Sequence, residues 1–248
     1  MVEVVVEDAR FWKSCVDAIV SLIEEGALEI REDGVSLKAM DPSQIAMVCF
    51  AAPKKSFAEY RVDAPAKLGL SFSNLSKFLA RARAGERLTM KTEENRLVLE
   101  FSGAEGRRAF KVPLIDIPAG SQKEPKLEHE ASVRMRAGPF KEILRDAELV
   151  SAHLTLSASE NGLAVDAHGD IGDLHVESER TASAVEEIKA KKAAKATFPL
   201  SYLSNITKAC PDDSPLTLHL KSNAPIKVEY SLDGAELVYY LAPRIDVE

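Results

Sequence analysis

The residues of this chain that could carry catalytic or ligating chemistry are few and scattered. Five histidines (His129, His153, His168, His175, His219) contain no pair at the i, i+4 spacing that would put two imidazoles on one helix face. Cys15, Cys49 and Cys210 are odd in number and far apart. They fit neither a zinc site nor a disulfide framework, and are expected as free thiols in a reducing compartment. Asp41 and Asp63 each follow a strand-like run and would have to serve as any acid/base pair. An aspartate in that position is far more often a turn former. No G-x-x-x-x-G-K-[ST], G-x-G-x-x-G or H-E-x-x-H occurs. The expectation is a protein without catalytic residues, cofactor or metal.

The charges are more informative. Formal net charge is −7, which argues against a simple basic nucleic-acid binder. Yet four amphipathic stretches each carry basic residues away from their apolar stripe. Arg10 and Lys13 lie on "ARFWKSCVDAIVSLIEEG". Lys77 and Arg81, spaced i, i+4, lie on "NLSKFLARARAGE" with Arg83 nearby. Lys141 and Arg145, again i, i+4, lie on "GPFKEILRDAELV", and Lys208 lies on "LSYLSNITKACPDD". Asp17, Glu142 and Asp146 dilute the pattern, as an ordinary solvated helix face would. Repetition on all four helices favours a locally positive surface that meets phosphates without reading sequence.

Those helices must be positioned by the rest of the chain, which is mostly strand-like: "VEVVV", "ALEIRE", "GVSLKAM", "IAMVCF", "FAEYRV", "RLTMKT" and "RLVLEF". The first helix is expected to end at Gly26 and the fourth at Pro211; Pro139 suits a first helical turn. The order then repeats. One offset of 128 residues carries Asp33-Gly34 onto Asn161-Gly162, Trp12 onto Phe140 and Lys13 onto Lys141. It also carries "SNLS" (73–76) onto "SYLS" (201–204), and "LTMKTEEN" (88–95) onto "LTLHLKSN" (216–223). Two equivalent halves follow, each with two helices and eight or nine strands. The stretch "PAGSQKEPKLEHE" between them has a linker's composition. "AFKVPLID" (109–116) resembles "YYLAPRID" (239–246), so the apolar chain end is expected to be the second copy of a domain-closing strand. The N-terminal "MVEVVVEDAR" has no basic region and is not expected to be a signal peptide.

The segments "DGVSLKAMDPSQIAMV", "YRVD", "LSKFLARA" and "YYLAPRI" resemble proliferating cell nuclear antigen, the DNA sliding clamp of archaeal and eukaryotic replication. The resemblance runs the full length. It implies an α+β DNA-clamp fold with two similar domains per chain, 1–116 and 129–248, joined by a connector over 117–128. Three subunits form a ring, with helices lining the inside and antiparallel sheets outside. It further implies non-catalytic tethering of DNA polymerase, flap endonuclease and DNA ligase through a short peptide motif, on double-stranded DNA, with a separate clamp loader. The alternative is a subunit of a heterotrimeric clamp or a checkpoint-type paralogue. The length and the lack of a long acidic tail look archaeal, which implies a cytoplasmic, nucleoid-associated protein; a eukaryotic one would be nuclear.

Carried over residue by residue, the resemblance makes Lys13, Lys77, Arg145 and Lys208 DNA-facing; Arg10, Arg81 and Lys141 join them by position on the same helices. Val20 stands where the family often has lysine. The partner-peptide surface comprises Met40, Gln44, Ile45, Met47, Leu127, Pro225, Tyr240, Leu241, Ala242, Pro243 and Ile245. The connector "AGSQKEPKLE" departs from the pattern, offering little apolar surface besides Leu127. Subunits are expected to join through edge strands "GRRAFKVP" (106–113) and "DLHVESER" (173–180). Arg83, Arg107, Arg108 and Phe110 would lie on one side of that joint, and Glu142, Asp146, His175 and Glu177 on the other.

Overall fold

The computed structural model describes residues 1–117 and 123–244. The first half runs β1 (Val2–Val6), α1 (Ala9–Val20), β2 (Glu25–Arg31), β3 (Gly34–Met40), β4 (Ala46–Pro53), β5 (Glu59–Val62), β6 (Ala66–Ser71), α2 (Phe72–Leu79), β7 (Arg87–Glu93), β8 (Arg96–Gly103) and β9 (Gly106–Pro113). The second runs β10 (Ala131–Arg136), α3 (Ala137–Glu148), β11 (His153–Ala158), β12 (Gly162–Gly169), β13 (Gly172–Glu179), β14 (Val185–Ala190), β15 (Ala194–Pro199), α4 (Leu200–Thr207), β16 (Pro215–Leu220), β17 (Ile226–Leu232) and β18 (Ala235–Leu241). Both ends of α1 and α2 reappear in α3 and α4 at an offset of 128.

Local sequence explains the elements. In β1, valines at 2, 4, 5 and 6 are buried. Asp8 caps α1 by accepting from the Arg10 N–H, and Ser71 caps α2 by accepting from the Asn74 N–H. Helix α1 buries Trp12, Cys15, Val16 and Ile19 at helical spacing. It ends at Val20 rather than at Gly26, because Gly26 already lies in β2 opposite Leu70 of β6. Helix α2 begins at Phe72 and stops at Leu79, earlier than its apolar pattern suggested; residues from Arg81 to Glu86 form turns closed by Ala82 N–H to Leu79 C=O and Glu86 N–H to Arg83 C=O.

The chain divides into two units. Unit 1 comprises Met1–Pro42, Val48–Gln122 and Leu232–Leu237; unit 2 comprises Ser43–Met47, Lys123–Ser231 and Val238–Glu248. Unit 1 contains the antiparallel sheet β5-β1-β7-β8-β9, with β9 at its edge, and β2 paired with both β3 and β6. Unit 2 contains β13-β12-β11-β15, with β13 at its edge, and the run β14-β10-β16-β17. In unit 1, α1 packs on α2, and the Trp12 ring meets Phe50 edge-on at 5.9 Å. In unit 2, α3 packs on α4, and stacked Tyr230 and Tyr239 share a 3.1 Å hydroxyl contact within the core.

One close approach fixes where the chain leaves unit 1. Ile115 N–H donates to Gly69 C=O of β6 at 3.0 Å, so residues after β9 lie along that strand. A Cβ at Gly69 would sit 1.9 Å from the Ile115 carbonyl oxygen. Gly69→Ala is therefore expected to cost about 2 kcal/mol or more of unfolding free energy, whereas Gly172→Ala, with nothing within 4 Å, is expected to stay within about 0.5 kcal/mol. Urea denaturation of both variants measures the difference.

Candidate functional surfaces

The basic helix residues are distributed as follows. In unit 1, Arg10 is exposed and tied to its own N-cap, Asp8, at 2.5 Å. Lys13 is half-buried and pairs with Asp17, whose other oxygen accepts from Ser76 on α2 at 3.1 Å. Lys77 is exposed and bonds Asn74 at 3.3 Å; Arg81 lies just beyond α2, exposed. In unit 2, Arg145 is exposed and pairs with Glu142, and Lys208, exposed, ends α4. Lys141 differs: its side chain is 13% exposed, and its ammonium donates to the Cys210 carbonyl and to Asp212 at 2.8 Å. Of these seven helix residues, Lys77, Arg81 and Lys208 have no carboxylate partner among the described residues and are the readiest for an external anion. A repeat-related serine, Ser204, bridges α4 to Glu148 of α3 at 2.5 Å, as Ser76 bridges α2 to α1.

The candidate peptide-binding residues fall in both units. Met40, half-buried, ends β3 in unit 1. In unit 2, Gln44 is exposed with φ of 59°, Ile45 is half-buried and Met47 is buried. The residue after β18 is anchored here: Ala242 N–H donates to Ile45 C=O at 2.8 Å, and Arg244 N–H to Thr197 C=O at 2.7 Å. Leu127, Pro225, Ala242 and Pro243 are half-buried. Tyr240 is 7% exposed, and its hydroxyl donates to Glu124 at 3.3 Å. Leu241 is fully buried, so it backs this surface from the core. Ile245 lies outside the described residues.

The two expected joining strands are both sheet edges, and their exposed side chains differ in sign. Strand β9 exposes Arg107 and Lys111; β13 exposes Asp173, His175, Glu177 and Glu179. Phe110 is half-buried, 5.2 Å from the Phe78 ring and 5.9 Å from Phe101. Arg108 lies 5.2 Å over Phe101 and donates to both carboxylate oxygens of Glu86, at 2.6 and 2.7 Å. Arg83 pairs with Glu105, and Arg107 stands 3.7 Å from Glu100. In unit 2, His175 bonds Asp166 at 2.6 Å and Glu177 at 3.2 Å; these two acids, Asp166 first, raise its pKa. Asp146 is exposed on α3.

Glu86 is the residue sequence reasoning missed. It is buried, and burial alone would raise its pKa; the Arg83 N–H and the Arg108 guanidinium outweigh this and hold it below the ordinary range. Its only sequence signal is an acid directly before the alternating strand β7. Arg108→Ala is expected to cost about 2 kcal/mol, because it strips a buried carboxylate of its charged partner. Glu86's folded pKa is lowered, so its contribution is complete above its unfolded value and is lost as pH falls through the folded one. The deficit of the variant, followed by urea denaturation from neutral to acid pH, should therefore shrink on acidification.

Two like halves, open strand edges of opposite charge and basic helices define a duplicated assembly and binding protein. Comparison with known proteins agrees. Residues 1–121 match the N-terminal domain, and residues 123–245 the C-terminal domain, of proliferating cell nuclear antigen. The DNA polymerase sliding clamp of Methanococcus maripaludis (strain C7) is 35% identical over 247 residues, covering 96% of this chain and 97% of that one. That of Thermofilum pendens is 32% identical over 248 residues, covering 99% and 100%. Among solved structures, A. fulgidus PCNA bound to the C-terminal region of FEN-1 superposes with a TM-score of 0.91 at 27% identity, covering both chains completely. The chain belongs to the proliferating cell nuclear antigen family of DNA polymerase sliding clamps.

Proposed function

We propose that three copies of this chain close into a ring around duplex DNA and tether polymerase and other replication enzymes, the chain itself catalysing nothing. In this reading the domains are 1–116 and 129–248, the connector is 117–128, and the protein works in the cytoplasm on the DNA. The observation that carries the reading is the pair of open edges. Strand β9 stands in the first half where β18 stands in the second, and β13 stands where β4 stands in the first. Within unit 2, the residue after β18 already bonds the residue before β4, through Ala242 and Ile45. The same junction made between copies would pair β9 of one with β13 of the next, Arg107 and Lys111 facing Asp173, Glu177 and Glu179. A heterologous contact of this kind closes into a ring when its rotation closes, and it covers strand edges that would otherwise aggregate.

Lys77, Arg81 and Lys208 then supply the leading phosphate contacts, with Arg10, Lys13 and Arg145 exchanging their internal carboxylates for phosphate as the DNA moves; Lys141 chiefly fixes α3 to the 210–212 turn. Such contacts are weak, salt-dependent and indifferent to sequence, as sliding requires. A polymerase, flap endonuclease or ligase peptide like the FEN-1 region held by the A. fulgidus protein would dock on Gln44, Ile45, Pro225, Ala242 and Pro243, with Met47, Tyr240 and Leu241 behind them and Met40, Leu127 and Ile245 adding apolar surface. Methionine suits such an adaptable surface.

Light scattering on the purified chain should give three times its 27.1 kDa, and chain plus loader should lengthen the products of a cognate polymerase on primed DNA. Arg107→Glu with Lys111→Glu should abolish both. A monomeric wild-type chain would point instead to a subunit of a mixed ring, and an unassisted polymerase would overturn the clamp reading. Separately, Ala242→Arg with Pro243→Ser should weaken calorimetric binding of a FEN-1-type C-terminal peptide by about tenfold or more, equal to about 1.4 kcal/mol, while the trimer mass is unchanged.

A further inference from the structure

In both halves the lysine of the first helix is engaged internally, and by unrelated acids. Lys13 of α1 and Lys141 of α3 stand 128 residues apart, the offset of the repeat. Lys141 is drawn inward by Asp212 and the Cys210 carbonyl. Lys13 is paired instead with Asp17, one turn further along its own helix. Each half uses an acid that the other lacks: the same offset carries Asp17 onto Arg145, and Asp212 back onto Ala84. Two different local solutions thus keep equivalent lysines from standing free.

The Lys13–Asp17 pair is also held differently from the other pairs on the helix faces. The carboxylates of Asp8 and Glu142 bond basic side chains of their own helix, and both pairs are well exposed, at 57% and 41% for Arg10 and Asp8 and at 63% and 66% for Arg145 and Glu142. The side chains of Lys13 and Asp17 are only 35% and 34% exposed. The second oxygen of Asp17 accepts from the Ser76 hydroxyl of α2 at 3.1 Å, which ties the acid across to a second helix. A phosphate reaching Lys13 has to take the ammonium from Asp17. Asp17, held by Ser76, then stays beside that phosphate as a like charge.

We propose, building on the clamp reading above, that Asp17 is a positioning residue for the DNA surface: it restrains Lys13, so that this lysine exchanges its carboxylate for phosphate less readily than Arg10 and Arg145 do, and the grip on DNA stays loose. The physical content is a count of phosphate contacts. Each cation that neutralises a phosphate adds about 0.9 to the slope of log K against log salt concentration. A lysine retained by a fixed carboxylate adds little; the same lysine released adds its full share. From a common value near about 1 M salt, one added contact tightens binding about eightfold near about 0.1 M.

Fluorescence anisotropy of the full-length protein on a short duplex with open ends, from about 0.1 M to about 1 M salt, reads both quantities. Asp17→Asn removes the charge and keeps an oxygen that can accept from Ser76, so α1 and α2 remain joined. Its mass in solution and melting temperature are measured alongside. Asp17→Asn should steepen the salt slope by about 0.9, and tighten binding near about 0.1 M about eightfold, for each subunit whose Lys13 gains a phosphate. The same substitution in Lys13→Gln protein should do neither. Asp17→Ala, with a residue favoured in helix interiors, repeats the measurement if Asp17→Asn fails to assemble. An acid that only joins the helices would lower the melting temperature and leave the slope unchanged. An acid that acts only through net charge would tighten binding equally with and without Lys13. Either result overturns the proposal. A wild-type chain that is not trimeric, or that does not bind the duplex, overturns the clamp reading itself.

Discussion

A sheet that does not close on itself ends in two strands whose outward N–H and C=O groups have no ladder to join. In this chain the terminal strands are β5, β6, β9, β13, β14 and β15, and the longest of them are β9 in unit 1 and β13 in unit 2. Both are eight residues long, long enough for pairing to be worth a great deal and for leaving them open to be hazardous. Arg108 is turned inward and locked on Glu86, while Arg107 and Lys111 remain outward. On β13, His175 is held between Asp166 and Glu177, leaving the edge predominantly acidic. Like edges would repel each other, and only the unlike pair attracts.

Duplication gives the helices their common role. Helices α1 and α2 cover unit 1 as α3 and α4 cover unit 2, each pair clamped by a serine at the same repeat position. The net charge of −7 keeps most of the surface unattractive to DNA. On the helices, much of the positive charge is already engaged by carboxylates on the same or the neighbouring turn, as for Arg10, Lys13 and Arg145. These exposed pairs are individually weak, so a phosphate can replace a carboxylate at little cost.

The sequence displayed the repeat clearly because helix boundaries and turn glycines keep their spacing when side chains diverge. The offset that joins Asp33-Gly34 to Asn161-Gly162 also joins both ends of both helix pairs. Strand β9 was legible to the residue because Gly106 and Pro113 bracket it. What stayed hidden depends on partners far along the chain. Lys141 looked like any helix-face lysine, yet Asp212 and the Cys210 carbonyl, some seventy residues later, draw its ammonium inward. Leu241 shared a motif with Tyr240 and Ala242, but strand alternation and packing place it wholly in the core. Glu86 had the sequence of a loop residue, and the Arg83 N–H and the Arg108 guanidinium reveal why it can be buried. Periodicity reports which face a side chain occupies and says nothing of which distant group will meet it.

A ring held by topology relaxes the demands on every contact inside it. A protein that stays on DNA by affinity needs many phosphate contacts and loses mobility in proportion; one that encircles DNA needs only enough positive charge to stay centred. In the proposed ring, stability would lie in the joints between subunits, to which this chain would bring its long edge strands β9 and β13, with the Phe78–Phe110–Phe101 cluster and the buried Glu86–Arg108 pair behind β9. Partner enzymes gain from the same arrangement. A peptide of modest affinity tethered to a ring on DNA holds its enzyme at an effective concentration on the order of millimolar near its substrate, while remaining free to leave when another enzyme is required. Strong joints, weak phosphate contacts and a modest docking surface are thus one physical solution, with binding energy placed where exchange is not wanted and withheld where it is.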